Sequence, residues 1–450
     1  MSVTIEADYV VIGAGAMGLA FTDELLTQTE ATVALIDERG RPGGHWTDAY
    51  PFVRLHQPSS FYGVNSAELS SGHIDEAGWN AGLAELASGA EVCAYFDQVM
   101  NRRFLPSGRV AYHPSTRWTG DHAVSLPSGQ TFEVRARRAM VDATYMKVSV
   151  PATHPPRFEV EPGVTVIPPN DLPRAARPGG GYVIVGAGKT AFDAILWLLS
   201  NHVEPAQIMW IVPRDSWLLN RAFVQPGEGF RLGEQLAVIA AADTPAEAFA
   251  GLEQAGHFLR IDQSVEPTMY RCATVSEAEL EQLRRITNVI RKGRVRRITG
   301  TAIELEGGTV ERAADTLCIN CTADGLEPRP VIPVFADGRI TLQALRGCQQ
   351  VFSAALIAKI EALAVPADEK NRLAGVIPHP STTRDYFTNG IEHIMNVVRW
   401  TENPELAAWL DDSRLSVGKS TDSNAPTPEM VMAAAVKIQQ FLADWPEADA

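Results

Sequence analysis

The sequence has 450 residues, a length at which one hydrophobic core usually gives way to two or three domains. Apolar residues make up 45% and charged residues 21%, which excludes a disordered or fibrous chain. The net charge of -15 argues against nucleic acid or an anionic membrane as the main partner and indicates an acidic enzyme.

Targeting signals and cysteine pairs are not evident. No run of about 18 apolar residues occurs, and the N-terminus lacks a basic region followed by an apolar stretch. We therefore predict neither a membrane span nor a secretory signal, and a cytoplasmic location. The cysteines are few and scattered, unlike a disulfide framework; they are Cys93, Cys272, Cys318, Cys321 and Cys348. No histidine or cysteine spacing matches a metal site, so no metal is predicted.

A strand, a glycine-rich turn, a helix and a second strand follow one another within residues 8–37. In the turn, Gly13 permits a tight bend, Gly15 lets a pyrophosphate approach the backbone, and Gly18 allows close helix packing. Asp37 ends the second strand, where a carboxylate binds a ribose hydroxyl. This complete dinucleotide-binding unit predicts FAD binding.

A similar unit returns within residues 182–212. Gly186, Gly188 and Ala191 form a GxGxxA variant of the motif, in which alanine replaces the packing glycine. The acidic residue is missing, and Arg214 follows the second strand. An arginine there suits a 2′-phosphate and favours NADPH over NADH, although a solvent-exposed arginine without a ligand would look the same.

The remaining segments are read more coarsely. A Pro/Gly-rich linker is predicted at 168–181, a helix within 83–102, and short strands forming a small covering sheet within 109–134. Residues 232–292 and the chain after residue 354 are predicted to be mainly helical.

One CxxC motif requires a choice between a redox centre and structural cysteines. Cys318 and Cys321 lie in residues 316–321, which have the pattern of a buried strand. Residues three apart on a strand point to opposite faces, so a disulfide would be geometrically poor. Structural cysteines are therefore favoured.

Four further segments carry a family resemblance. Residues 43–46, Gly-Gly-His-Trp, are similar to a GGxW motif, and residues 50–56, Tyr-Pro-Phe-Val-Arg-Leu-His, resemble a YPG-x-R-x-D/H segment beside a flavin. Residues 140–144 and 321–326 resemble the ATG-type strand ends at which such chains pass between two nucleotide domains. Together with the two glycine motifs, these segments resemble the class B flavoprotein monooxygenases, which comprise flavin-containing and Baeyer-Villiger monooxygenases.

The resemblance implies an α/β fold with two Rossmann-like dinucleotide-binding domains and a helical C-terminal region. The FAD domain would comprise residues 1–165 and 308–360. An NAD(P)H domain of residues 166–307 would be inserted into it and would itself carry a helical insertion at 225–292. Residues 361–450 would be mainly helical.

Site residues follow from the motifs and the resemblance together. His56 occupies the place of an acid in the Baeyer-Villiger subgroup and is predicted to lie beside the flavin, where its charge would change across the neutral range; a hydrogen-bonded structural histidine is the open alternative. Arg221 is the cation expected opposite it. The predicted cofactor-binding residues are Gly13, Gly15, Gly18, Asp37, Glu38, Gly44, Trp46, Arg54, Val110, Thr144, Gly186, Gly188, Ala191, Arg214, Thr322, Ala323 and Asp324. The loop around residues 379–384 and the insertion are candidate walls of the substrate pocket.

The resemblance implies an FAD-dependent, NADPH-consuming monooxygenase that transfers one oxygen atom from O2 to a small organic substrate through an oxygenated flavin. The resemblance does not decide whether the protein forms a homodimer. The fingerprint FxGxxxHxxxW/Y of these enzymes is expected near 158–175, where residues 158–168 contain no histidine. Two alternatives therefore stay open: a flavoprotein reductase or oxidase that releases hydrogen peroxide, and a non-catalytic carrier protein with the FAD fold.

Overall fold

The computed structural model describes residues 3–227, 231–417 and 426–445. A sheet of eight strands forms the first domain. Six of these strands lie in the order Phe335–Ala336, Arg339–Thr341, Thr131–Asp142, Val3–Ile12, Val33–Ile36 and Val110–His113. Neighbouring strands in this order are parallel, except that Phe335–Ala336 and Arg339–Thr341 at one edge pair in antiparallel fashion. Two helices, Ala16–Gln28 and Gln350–Ala362, pack against each other in the core of this domain.

A hairpin completes the first sheet. Its strands, Thr116–Trp118 and His122–Ser125, pair with each other, and the second also pairs with Thr131–Asp142. The prediction of a separate covering sheet at 109–134 is therefore wrong, because these strands hydrogen-bond to the central sheet itself. The helix predicted within 83–102 is present as Gly89–Val99, and a capping box at Ser88 begins it.

The second domain contains five parallel strands. Their order is Val166–Ile167, Leu317–Asn320, Tyr182–Val185, Ile208–Ile211 and Val289–Ile290. Leu317–Asn320 pairs with Tyr182–Val185, so the predicted return to the first domain at residue 308 is too early. The chain rejoins the first sheet only at Phe335–Ala336. The other predicted domain boundaries stay predictions.

The insertion after the second nucleotide unit is mixed rather than helical. It contributes Phe258–Leu259 and Met269–Val275, which pair on either side of Ser216–Asn220 in a small sheet. Residues 225–292 were expected to be mainly helical, and 228–230 lie outside the described residues. The expectation is wrong because these strands pair with a strand elsewhere in the chain, which the local periodicity of the sequence does not show. The helices here are Leu232–Ala241, Pro245–Gln254 and Glu277–Arg284. A separate four-stranded sheet has the order Glu159–Val160, Val295–Ile298, Ala302–Leu305 and Gly308–Glu311.

The C-terminal region is helical in its described part, which omits residues 418–425 and 446–450. Its helices are Ala367–Leu373, Thr383–Glu402, Pro404–Asp412 and Pro428–Ala443. None of the helices in the described ranges is long and apolar enough to cross a membrane.

Two short ribbons remain. One is the hairpin of Gly63–Val64 with Ala67–Glu68. The other pairs Val148–Ser149 with Gly325–Leu326 in antiparallel fashion. These last two strands belong to the two chain segments that connect the domains. The crossing from the first domain to the second and the crossing back are therefore joined to each other.

The cysteines differ in part from the prediction. Cys272 and Cys348 form a disulfide with their Cα atoms 6.6 Å apart, although no pairing was predicted. Tertiary folding brings them together across a separation of 76 residues, which no local spacing reveals. The three remaining thiols are buried and unpaired: Cys93, Cys318 and Cys321. Cys318 and Cys321 pack into different cores, as the structural interpretation of the CxxC motif expects.

Candidate nucleotide and flavin site

The first glycine turn, residues 13–18, leads into the helix Ala16–Gln28. Gly13 has φ of +104°, in the region that favours glycine. A Cβ on Gly18 would overlap the carbonyl oxygen of Gly13, so helix and turn approach as closely as the motif predicts. The helix has neither a side-chain cap nor an acidic residue in its first turn. Its N-terminal N–H groups are thus available to an anion.

A second loop meets this turn at Gly44, the first residue of the short 3₁₀ helix Gly44–Asp48. A Cβ on Gly44 would lie 2.9 Å from the Cα of Gly15. In the opposite direction, a Cβ on Gly15 would lie 3.5 Å from the Cα of Gly44, which is ordinary contact. Two bare backbones therefore face each other at the helix N-terminus. Such a surface lets a diphosphate approach both chains.

Acidic residues follow the second strand as predicted. The carboxylate of Asp37 accepts hydrogen bonds from the N–H of Ala14, at 2.6 Å, and from the N–H of Arg39, at 2.7 Å. Burial raises the pKa of Asp37. Glu38 is instead exposed and forms an ion pair with Arg117 at 3.4 Å. Asp37 is thus fixed against the glycine turn, and Glu38 lies on the surface beside it.

Two more predicted residues lie close to the first turn. The Cγ2 of Thr144 would be 3.0 Å from a Cβ on Gly13, and its hydroxyl donates to Asp142 at 2.7 Å. Trp46 follows Gly44 and donates from Nε1 to the hydroxyl of Tyr62 at 2.6 Å. These contacts hold both side chains near the loop that faces the turn.

Val110 does not reach this site. It pairs with Val33 at the amino ends of the parallel strands, whereas the glycine turn follows their carboxyl ends. Its prediction as a cofactor contact is wrong, because strand direction places it at the opposite edge of the sheet. Arg54 is exposed and donates to the carbonyl oxygen of Leu86 at 2.9 Å, which fixes the loop that carries it.

The second glycine turn has the same construction. Gly186 has φ of +126°, and a Cβ there would lie 3.0 Å from the carbonyl oxygen of Cys321. Ala191 is fully buried against the strand, where the motif requires a small residue. A Cβ on Gly188 would have no described atom within 4 Å. The helix Lys189–Ser200 also begins without a side-chain cap.

Two guanidinium groups lie beside the second turn. Arg214 is exposed, and within the described ranges it has no hydrogen-bond or ion-pair partner. Arg271 donates to the carbonyl oxygen of Asp324 at 2.9 Å. Burial, together with the nearby charge of Arg214, lowers the pKa of Arg271. Two neighbouring cations, one without a partner, favour an anion at this edge.

Residues 322–324 follow the strand Leu317–Asn320 at the same edge. The backbone N–H of Thr322 donates to Asn320 Oδ1 at 3.1 Å. The carboxylate of Asp324 pairs with Arg157, and Ala323 lies between Thr322 and Asp324 in the chain. The three residues therefore lie beside the turn at Gly186, as the motif predicts for the crossing point.

The loop of residues 50–56 joins the two domains. Tyr50 donates a hydrogen bond to Asp193 Oδ2 at 2.7 Å, and Asp193 lies on the helix that follows the second glycine turn. Phe52 stacks on Trp197 of the same helix, with ring centroids 5.3 Å apart. The loop that resembles a flavin-side segment thus contacts the second nucleotide unit directly.

His56 ends this loop. Its Nδ1 accepts a hydrogen bond from the backbone N–H of Thr274 at 3.3 Å, so the neutral ring carries its proton on Nε2. Burial, and then the charges of Lys189 and Arg221, lower the pKa of His56 to about 3. The prediction that its charge changes across the neutral range is therefore wrong.

Arg221 lies next to His56, and four hydrogen bonds hold its guanidinium in place. Nε donates to the carbonyl oxygen of His56 at 3.0 Å, and Nη2 pairs with Glu279 at 2.7 Å. Nη1 donates to Asn80 Oδ1, and Nη2 also to the carbonyl oxygen of Thr274. The side chain is completely buried. Its predicted catalytic role is not supported by this geometry: Arg221 positions the His56 loop instead.

A polar cluster that the sequence did not reveal lies at the start of Gln350–Ala362. The Nε and Nη1 atoms of Arg346 are buried without a described hydrogen-bond partner, as are the Oε1 atoms of Gln349 and Gln350. Burial lowers the pKa of Arg346 to about 9, and its guanidinium lies 3.8 Å from the ring centre of Phe352. This helix again begins without a side-chain cap. Such orphaned groups require a polar partner.

His379 lies near His56 and Arg271. Its Nδ1 is buried without a described partner. Burial, and then the charge of Arg271, lower the pKa of His379 to about 4. The signal in the sequence was the loop around 379–384, which was predicted only as a pocket wall.

Comparison with known proteins identifies the family. Residues 11–58 match the family model described as NAD(P)-binding Rossmann-like domain. Proteins of Mycobacterium bovis and Mycobacterium tuberculosis, both described only as uncharacterized, are 50% identical over 420 residues. The alignment covers 92% of the chain and 78% of each relative. The chain belongs to the family of these mycobacterial proteins.

Solved structures show the fold of this family. An oxidized steroid monooxygenase bound to NADP has a TM-score of 0.51 at 15% identity, covering 98% of the chain and 97% of its own. A polycyclic ketone monooxygenase from Thermothelomyces thermophila has a TM-score of 0.51 at 13% identity, covering 99% and 89%. The resemblance is thereby confirmed at the level of the fold, including the predicted fold with two dinucleotide-binding domains.

Proposed function

We propose that the chain is an FAD-dependent, NADPH-consuming monooxygenase that transfers one oxygen atom from O2 to a small organic substrate. One observation carries the proposal: two glycine turns, each opening an uncapped helix, belong to domains joined through the loop of residues 50–56. Two nucleotide sites connected in this way suit hydride transfer from a nicotinamide to a flavin.

The residues of the first domain fit FAD. The bare backbones at Gly15 and Gly44 and the uncapped helix would hold the diphosphate. Asp37 would bind the ribose, with Thr144 and Trp46 lining the adjoining loops. When bound, FAD supplies hydride acceptance and the reaction with O2.

The orphaned polar cluster supports the same assignment. The buried guanidinium of Arg346 and the amide oxygens of Gln349 and Gln350 lack partners among the described residues. A ring with carbonyl oxygens and N–H groups would satisfy donors and acceptors together. Arg346, in addition, supplies positive charge in a water-excluded site, which stabilises negative charge that develops there.

His56 would act as a neutral hydrogen-bond donor. Because Thr274 donates to Nδ1, the Nε2–H of His56 is free to donate, and no described residue accepts from it. The low pKa keeps the ring neutral throughout the physiological range. We therefore assign to His56 the role of orienting a polar group at Nε2, not of exchanging protons.

The second domain fits NADPH. Gly188 leaves open space where a phosphate would approach, and Arg214 offers a guanidinium that has no partner among the described residues. Thr322, Ala323 and Asp324 would border the same ligand. A cytoplasmic location and a homodimer stay predictions.

Arg214→Ala is expected to raise KM for NADPH by roughly tenfold or more, because a charged hydrogen-bonded pair contributes about 1.5–3 kcal/mol. The KM for NADH should change by less than about twofold, since NADH lacks the phosphate. Steady-state kinetics with both cofactors measure this. The control is Arg285→Ala, which removes another exposed arginine of the same domain and should leave both constants unchanged. Equal losses with NADPH and NADH would contradict the phosphate role.

The proposed function is tested by spectroscopy of the purified protein. FAD should give visible absorption that anaerobic NADPH bleaches and that air restores. With a suitable oxygen acceptor, product formation should account for most NADPH consumed. Hydrogen peroxide equal to the NADPH consumed with every acceptor would favour the reductase or oxidase alternative. Bound FAD that NADPH never bleaches would favour the carrier.

A further inference from the structure

The disulfide between Cys272 and Cys348 is a covalent connection between two parts of the chain that also share a hydrophobic cluster. Cys272 lies on Met269–Val275 of the inserted sheet, and Cys348 lies in the loop before Gln350–Ala362 of the first domain. The register of Met269–Val275 shifts before Thr274, so Cys272 lies within a bulge. The bond therefore clamps a bulge of one domain to a loop of the other.

Both half-cystines have unusual backbone conformations. Cys272 has φ of +57° and Cys348 has φ of +60°, in the left-handed region that residues with a side chain seldom occupy. Such residues persist where the surrounding structure holds them, and they concentrate at functional sites. Here both cysteines of one disulfide are held in the left-handed conformation.

The bond lies among groups assigned above to the site. Thr274, two residues from Cys272, donates to Nδ1 of His56. Its hydroxyl also donates to the carbonyl oxygen of Cys272 at 3.2 Å. On the other side, Arg346, with its orphaned nitrogens, precedes Cys348 by two residues. Breaking the bond would release both segments.

The two sulfurs differ in access. Cys272 is buried with 6% exposure, whereas Cys348 is half-buried. The unpaired thiols of the chain are all buried and so protected from reagents. A thiolate from solvent would therefore reach Cys348 first.

We propose that Cys272 and Cys348 form a reversible thiol–disulfide exchange site that an external dithiol reduces. A thiolate of the dithiol attacks Sγ of Cys348, and the Sγ of Cys272 leaves and takes up a proton. The second thiol then displaces Cys348 from the mixed disulfide, which yields the oxidised dithiol. Two electrons and two protons pass to the protein, and no other reactant is needed.

Reduction unclamps the bulge from the loop, and thereby loosens the Thr274 contact to His56 and the placement of Arg346. The consequence for oxygen transfer rests on the proposed function. The exchange reaction itself does not, because it is measured on the thiols without NADPH or substrate. The two proposals can therefore fail separately.

The test is differential alkylation of the folded protein. Native protein is equilibrated with mixtures of reduced and oxidised dithiothreitol, labelled with N-ethylmaleimide and digested for mass spectrometry. Without reductant, neither Cys272 nor Cys348 should be labelled. With rising reduced dithiothreitol both should become labelled together at one midpoint, while Cys318 stays unlabelled, and oxidised dithiothreitol should reverse the change. A Cys318→Ser variant, which removes a buried cysteine outside the disulfide, should behave identically.

Hydrogen exchange gives a second readout. Reduction should speed amide exchange in peptides covering residues 269–275 and 346–350 at least tenfold, with no change in the strand Val3–Ile12. The double variant Cys272→Ser with Cys348→Ser should exchange fast without reductant and should not respond to dithiothreitol. Labelling of Cys348 before reduction, resistance of the bond until the protein is denatured, or unchanged exchange after reduction would each overturn the proposal.

Discussion

Gly15→Ala should strip FAD from the purified protein, with flavin content at least tenfold below the wild type, whereas Gly188→Ala should retain FAD and lose NADPH. Both residues have ordinary extended backbone, with φ of -81° and -104°, so alanine costs little conformational strain. A new Cβ at Gly15 would lie 3.5 Å from the nearest described atom, and one at Gly188 farther than 4 Å. The folded chain accommodates both methyl groups, the one at Gly15 in ordinary contact with Gly44, so the expected loss is that of a ligand approaching the backbone.

The paired variants control for each other. Flavin content is read from visible absorbance, and NADPH use from the rate of anaerobic flavin reduction, for which Gly188→Ala should need at least tenfold more cofactor. The melting temperature of each FAD-free protein should stay within about 2 °C of the FAD-free wild type. Full flavin occupancy in Gly15→Ala would refute the first assignment. Loss of the same cofactor in both variants would show that the two turns do not serve two nucleotides.

Arg221→Ala should lower the free energy of unfolding by about 3–5 kcal/mol, the cost typical of breaking a buried ion pair from one side. The guanidinium of Arg221 is fully buried and pairs with Glu279, whose side chain is 14% exposed. Its removal leaves Glu279 without its cation and the carbonyl oxygen of His56 without its donor. Urea unfolding followed by tryptophan fluorescence measures the difference.

Arg297→Ala is the matched control for this change. Arg297 pairs with Glu161 at 3.9 Å, and both side chains are about 40% exposed. Exposed pairs contribute about 0–1 kcal/mol, so the same substitution should have little effect there. If Arg221→Ala kept wild-type stability but abolished oxygen transfer, the positioning role would be wrong and the catalytic prediction correct.

The nucleotide motifs could be predicted because their chemistry is local. Each glycine within residues 13–18 meets a steric requirement of a single turn, and Asp37 follows the adjacent strand. Periodicity likewise gave the helix Gly89–Val99. Where an element depends on a partner far along the chain, the sequence was less informative. Leu317–Asn320 was assigned to the wrong sheet because its neighbour Tyr182–Val185 is distant in sequence.

The site could be predicted only in part. The sequence singled out both His56 and Arg221, but their burial and the direct hydrogen bond between them follow from tertiary packing. The orphaned atoms of Arg346 and the pairing of Cys272 with Cys348 depend on three separate segments meeting. The spacing of residue types along the sequence does not indicate which distant segments come into contact.

The connection between the domains has a consequence for synthesis on the ribosome. Arg339–Thr341 pairs with Thr131–Asp142 in the first sheet, yet the whole second sheet lies between them in the sequence. The inserted domain therefore emerges and can close while the first domain still lacks an outer strand and the helix Gln350–Ala362 that packs on Ala16–Gln28. Until then, the face of Ala16–Gln28 that packs on Gln350–Ala362 stays exposed in the nascent chain, and such exposed apolar surface is what chaperones protect.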